Sequence, residues 1–281
     1  MSNLKLKELE RKYGDHRGLG YGKQLTEHFG LSFDSVQIGL NANTIVIGGP
    51  GTGKSYNFIE PNIARAEGYS FVSLDTDGNQ YDKYRQSLEG RGYKVQLLDT
   101  SKIFESEPID FEYLGELPMA VFVKVDRFDE AAYPVIAQFF EYLMNTLIRV
   151  ADLKHKGSLP VHVELFLNEF CNFPILRGKF PMYLSCARAR NISVSIIIQS
   201  LSQLKMLDPE TWEIELNNCD SILYLGACDP FTLSYLSKIC GKDGKGHPVK
   251  TEHEIARMSR DSALFLIRGE APVIDRKLSH K

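Results

Sequence analysis

The densest chemical signal in this sequence is Gly48-Gly49-Pro50-Gly51-Thr52-Gly53-Lys54-Ser55. Its spacing, G-x-x-x-x-G-K-[ST], belongs to a loop whose backbone N–H groups curl around a β-phosphate. Lys54 has the reach to contact β- and γ-phosphates, and the Ser55 hydroxyl is the expected ligand of Mg²⁺. A helix starting at this point adds partial positive charge at its amino end. The plainer reading is a Gly-Pro turn before a chance Lys-Ser, but it leaves the strand before the loop and the helix after it unexplained. These residues predict binding of a nucleoside triphosphate, ATP with Mg²⁺.

Hydrolysis needs an acidic strand end as well. Val163-Glu164-Leu165-Phe166-Leu167-Asn168-Glu169 is the best candidate. Glu169 is placed to act as general base for an attacking water. Asn168 stands where the usual motif carries Asp; it offers the metal shell an acceptor oxygen but no charge, which predicts weaker Mg²⁺ binding. Ile196-Ile197-Ile198-Gln199-Ser200 is a second strand with a polar end, and Gln199 could report a γ-phosphate. Arg188 and Arg190 precede that strand. Either could reach the γ-phosphate of a neighbouring subunit; the plainer reading is a solvated helix face. Lys242 and Lys245 could line a pore that follows a nucleic-acid backbone, against the plainer reading of a solubilising turn.

The elements that must position these residues alternate along the chain. Apolar runs at 44–48, 70–75, 93–98, 119–125, 161–167, 192–198, 221–225 and 263–268 predict strands. Most are continuous rather than alternating, as in a parallel sheet buried on both faces. Helical patterns fall between them at 55–66, 79–91, 130–153, 180–190, 210–217, 232–239 and 251–258. The last opens on Thr251-x-x-Glu254, a capping box. Strand–helix alternation predicts a doubly wound α/β fold, with 1–40 as an N-terminal extension and 41–281 as the main domain. Segments 154–160 and 241–248 read as loops.

Bulk properties set the bounds. The chain has 281 residues, 43% hydrophobic and 25% charged, with a formal net charge of −3. That is an ordinary globular composition, not a broadly basic one. The cysteines, Cys171, Cys186, Cys219, Cys228 and Cys240, form no C-x-x-C pair and read as free thiols. No stretch approaches the ~20 apolar residues of a spanning helix, so the expected location is cytoplasmic.

Taken in order, the segments 43–63, 71–99, 160–173, 186–205, 217–226 and 263–275 resemble the type IV secretion coupling proteins, the TraG/TraD class of conjugative DNA-transfer ATPases. The most specific phrases are Arg190-Asn191-Ile192-Ser193-Val194-Ser195-Ile196-Ile197-Ile198-Gln199-Ser200 and Asn218-Cys219-Asp220-Ser221-Ile222-Leu223-Tyr224-Leu225-Gly226. The resemblance implies a RecA-like P-loop NTPase acting as a hexameric ring, with nucleotide between subunits. Lys54 and Ser55 would bind ATP and Mg²⁺, Glu169 would be catalytic, and Gln199 would sense the γ-phosphate. Arg188 would act in trans, with Arg190 as second choice. The implied partners are DNA, single-stranded and bound without sequence preference, and secretion-channel or relaxosome proteins. Those partners would hold the protein at the inner face of the cell membrane.

Four departures from the family stand out. Asn168 replaces the acidic residue. Asp75-Thr76-Asp77-Gly78-Asn79 replaces a motif that usually carries Lys and Glu. The family's membrane helices have no counterpart here. Only about twenty residues, 101–119, stand where an all-helical domain is usual. The leading expectation is a DNA-translocating ATPase. The alternative is a nucleotide-binding assembly module with weak or no hydrolysis. A translocase of the FtsK/HerA kind is a third, disfavoured by Pro61 in the helix after the loop and by the Ser195–Gln199 phrase.

Overall fold

Strand formation follows the apolar runs. The computed structural model describes residues 2–16, 20–105, 108–126, 128–173, 179–227 and 229–279. Cys228 lies outside the described residues. The strands are β1 (Gly22–Thr26), β2 (Phe29–Ser32), β3 (Thr44–Gly48), β4 (Ser70–Asp75), β5 (Lys94–Asp99), β6 (Met119–Lys124), β7 (Val163–Leu167), β8 (Ile192–Ile198), β9 (Ser221–Gly226), β10 (Ser262–Ile267) and β11 (Val273–Arg276). Nine of them form one sheet in the order β11-β10-β9-β3-β8-β7-β4-β6-β5. Strands β3 to β9 run parallel, as their unbroken apolar character predicts. β10 and β11 add an antiparallel edge. β11 lies outside the predicted strands; its Val-Ile-Asp-Arg is too short and polar to stand out.

Both faces of the sheet are covered. Ile45 and Ile47 join a core with the helix Tyr133–Lys154 and with Phe180–Ala187, while Val46 joins a second core with Phe58, Ile63 and Leu88. Alternate side chains of one strand thus feed opposite layers. The predicted helix at 130–153 is a 3₁₀ turn, Glu130–Ala132, followed by the helix with Pro134 in its first turn. A proline is tolerated there because that N–H has no intrahelical partner. The capping box at Thr251 and Glu254 forms.

The residues before 41 are ordered against this sheet. The helix Ser2–Tyr13 buries Leu6, Leu9 and Tyr13, and β1 pairs with β2 as a hairpin. Lys23 of β1 reaches a fully buried position, where its Nζ donates to Glu164 Oε1 of β7 at 2.8 Å and to Ser195 Oγ of β8 at 2.9 Å. A charge taken out of water needs such a partner. Ser193 and Ser195 also donate to Glu164, which explains how β7 carries a carboxylate in mid-strand. No helix among the described residues is long and apolar enough to cross a membrane.

Candidate functional site

The carboxyl ends of four adjacent strands, β3, β8, β7 and β4, bring the candidate residues to one rim of the sheet. Open α/β sheets bind ligands outside the carboxyl ends of their strands. The loop after β3 is folded on itself: Thr52 Oγ1 donates to Gly49 O at 2.8 Å, and Gly49 N donates to Gly226 O, at the end of β9, at 2.7 Å. Gly53 sits at φ 98°, and a Cβ there would fall 1.8 Å from Asn57 Oδ1. Only glycine fits. A π-helical turn, Lys54–Ile59, follows in place of the expected α-helix, and α-helical structure resumes at Glu60–Ala64. π-Turns recur at functional sites because they re-aim side chains.

Three of the predicted residues meet. Lys54 is 8% exposed; its Nζ donates to Gly49 O at 3.4 Å and lies 3.5 Å from Glu169 Oε1. Gln199 Nε2 donates to Glu169 Oε2 at 2.8 Å, and Asn172 Nδ2 donates to the same oxygen at 3.4 Å. Glu169 has φ 53° and ψ 38°, a left-handed conformation that costs a non-glycine residue about 1–2 kcal/mol. Such strain persists where surrounding contacts over-determine it, often at functional sites.

Asn168 is buried beside Glu169. Its Nδ2 donates to Thr76 Oγ1 at 2.9 Å, while its Oδ1 is buried with no hydrogen-bond partner. Ser55 Oγ donates to Asp77 Oδ2 at 3.3 Å. The set fits a nucleotide phosphate chain with a hard cation: a cationic amine, a glycine loop that leaves room at its tip (nothing lies within 4 Å of a Cβ built on Gly51), and hydroxyl and carboxylate oxygens.

Arg188 is not brought to this rim. It lies in the 3₁₀ turn Arg188–Arg190, before β8 begins, at the opposite end of the strands, where its Nη2 donates to Ser35 O at 3.0 Å. Arg190 donates to Asp152 Oδ2 at 2.8 Å and to Cys186 O at 3.1 Å, which ties the turn to helix Tyr133–Lys154. Lys242 and Lys245 are exposed on a loop closed by a Lys242–Pro248 bridge.

Sequence reasoning missed the C-terminal strap. Lys277 Nζ donates to Thr52 O at 2.9 Å, and Asn57 Nδ2 donates to Leu278 O at 2.6 Å. No local pattern marks these residues, since their partners lie more than two hundred positions away. A cavity of about 700 Å³ opens beside the loop, lined in part by Gly49, Thr52, Gly226, Met258, Arg260 and Lys277. That is within the range of small-molecule sites.

Sheet order and the glycine loop after β3 give a P-loop fold of the RecA-like α/β class. Residues 162–262 match the family model described as the TraM recognition site of TraD and TraG. The chain is similar to the bacterial conjugative coupling protein TrwBdeltaN70 in its unbound monoclinic form, with TM-score 0.72 and 14% identity over 100% of this chain and 92% of that one. TrwB in complex with the non-hydrolysable ATP analogue ADPNP gives TM-score 0.68 and 13% identity over 100% and 93%. B204, the DNA-packaging ATPase of Sulfolobus Turreted Icosahedral Virus, gives TM-score 0.51 and 18% identity over 84% and 97%. No curated protein matches significantly. Residues 162–262 thus resemble a segment of TraD and TraG, and the fold resembles that of TrwB.

Proposed function

We propose that this chain is an ATP-dependent coupling motor that moves DNA for a conjugative or type IV secretion apparatus. One observation carries the reading: Lys54, Glu169 and Gln199, from three different strand ends, converge within hydrogen-bond or ion-pair distance. A module that only held nucleotide has no use for a carboxylate kept in a strained conformation beside the loop lysine and bonded to a glutamine. The relatives support the same direction: TrwB has been seen with ADP and Mg²⁺, and B204 is a packaging ATPase.

In this reading 41–281 is the motor domain, and 1–40 is an extension anchored by the Lys23–Glu164 pair. Backbone N–H groups of Gly51, Gly53 and Lys54 and the Lys54 amine hold the phosphates, and the adjacent cavity takes the nucleoside. Ser55 supplies a hydroxyl oxygen to the cation, with Asn168 beside it. Bound, the nucleotide supplies the phosphoanhydride to be broken, and Mg²⁺ offsets its charge. The Glu169 carboxylate takes the proton of a water, and Gln199, bonded to it, orients that carboxylate and feels the γ-phosphate. Arg188 lies far from its own Lys54, so its part is in trans, across a homo-oligomeric ring. The DNA partner is held by its backbone, without base readout. Secretion-channel or relaxosome proteins dock on the 162–262 segment.

A second reading, nucleotide binding with little turnover, is favoured by one feature: Asn168 brings no charge, and its amide is engaged by Thr76. Steady-state turnover measured against protein concentration, with and without single-stranded DNA, separates the two. The motor gives turnover that rises as rings assemble and rises again with DNA. Mixing Arg188→Ala chains with Glu169→Gln chains restores part of the activity, because some interfaces pair an intact Arg188 with an intact Glu169. Binding without turnover at any concentration favours the module.

A further inference from the structure

The hydroxyl that a phosphate loop offers to its divalent cation faces a carboxylate from an unexpected strand. Ser55 Oγ donates to Asp77 Oδ2 at 3.3 Å. Asp77 lies in the turn after β4, which pairs directly with β7. The other acidic residue of that turn, Asp75, is otherwise committed. Its Oδ1 accepts from Asp77 N at 3.2 Å and Gly78 N at 2.8 Å, and its Oδ2 accepts from Gln80 N at 2.8 Å. Asp75 is fully buried. It holds the turn. Asp77 is exposed and faces the loop.

On β7, the position that usually carries the cation's carboxylate is Asn168. Its Nδ2 donates to Thr76 Oγ1, one residue before Asp77. The two departures that the sequence shows separately therefore meet in space: a lost carboxylate at the end of β7 and an acidic residue in the turn after β4. Neighbouring strands lie about 4.8 Å apart, so the negative charge is moved by about one strand rather than lost.

We infer that Asp77 supplies the anionic oxygen of the divalent-cation site at the phosphate loop, with Ser55 as the second oxygen and Asn168 as a neutral strut that fixes the turn through Thr76. Mg²⁺ is held by one or two carboxylates together with substrate phosphates, and one relocated carboxylate satisfies that need. The inference rests on the nucleotide reading above, and it removes the main ground for expecting an impaired metal site.

The test is equilibrium binding of a fluorescent non-hydrolysable ATP analogue, titrated with Mg²⁺ and repeated in EDTA, so that no turnover is required. For Asp77→Asn the half-saturating Mg²⁺ concentration should rise about 10–100-fold, while affinity in EDTA does not fall below the parent value. Asp77→Asn combined with Asn168→Asp returns a carboxylate to β7 and should recover most of the loss. An unchanged Mg²⁺ dependence in Asp77→Asn overturns the inference. So does a loss of affinity in EDTA, or a double variant that fails to recover, because either shows damage to the turn rather than removal of a charge. If the parent protein binds no analogue under either condition, the nucleotide reading itself fails, and the cation site with it.

Discussion

Glu169→Gln separates binding from chemistry, and the structure sets the size of the effect. Glu169 Oε1 lies 3.5 Å from Lys54 Nζ, with the two side chains 10% and 9% exposed. At an effective dielectric of ~20, Coulomb's law gives about 5 kcal/mol of gross attraction. A hydrogen bond to a charged group has a net worth of about 1.5–3 kcal/mol. Lys54 must give up part of this contact to serve a phosphate, and the Glu169 charge itself repels one. Glutamine keeps the shape, the backbone conformation and a polar contact to Gln199, but drops the charge. An ATP analogue should therefore bind Glu169→Gln about tenfold more tightly, since tenfold corresponds to about 1.4 kcal/mol. Turnover should fall about 10²–10⁴-fold, because the amide accepts no proton. Isothermal titration gives the first quantity and phosphate release the second. Weaker binding, or turnover equal to the parent, would refute the assignment of Glu169 as both base and counter-ion of Lys54.

Two further predictions concern buried charge. Lys23→Met leaves Glu164 buried without its cation, and burial already pushes the Lys23 amine below its ordinary range. The variant should lose about 3–5 kcal/mol of stability in urea, and Lys23→Met with Glu164→Gln should recover much of that loss; equal stability of parent and single variant would contradict it. Glu215 is buried with Oε2 unpartnered, and burial, aided by Asp208, pushes its carboxyl up to about 7. The folded state then binds a proton more readily than the unfolded state, so this group lowers stability as pH rises from about 4.5 to about 7. Glu215→Gln should be more stable than the parent at pH 8 by about 1–3 kcal/mol, with the difference vanishing near pH 4; a pH-independent difference would rule out this titration.

The site was legible where chemistry is local. The phosphate loop needs its strand, glycines and Lys-Ser in consecutive positions, so the sequence displays it whole. β7 and β8 announce themselves as apolar runs with polar ends, which is why Glu169 and Gln199 could be named. What stayed hidden is contact between distant parts of the chain. Asp77 reaches Ser55 across 22 positions, and Lys23 reaches Glu164 across 141. The π-turn at Lys54–Ile59 follows directly on the left-handed Gly53, and no propensity in its residues marks it. The left-handed Glu169 likewise reflects its surroundings, since no glycine or asparagine marks the position. The helix Ser2–Tyr13 had a readable signal, Leu6, Leu9 and Tyr13 at helical spacing, but its charged surface masked it. The antiparallel edge escaped because β11 is four residues long and half polar.

The most direct single measurement is the affinity of a non-hydrolysable ATP analogue, with Mg²⁺, for the parent protein and for Lys54→Ala. Lys54 Nζ lies at both Gly49 O and Glu169, and its replacement removes no apolar core side chain. The expected result is saturable binding and thermal stabilisation of the parent, both lost in Lys54→Ala while its melting temperature without nucleotide stays close to the parent's. Equal stabilisation of the two proteins by the analogue would contradict a phosphate loop at residues 48–55 and the motor built on it.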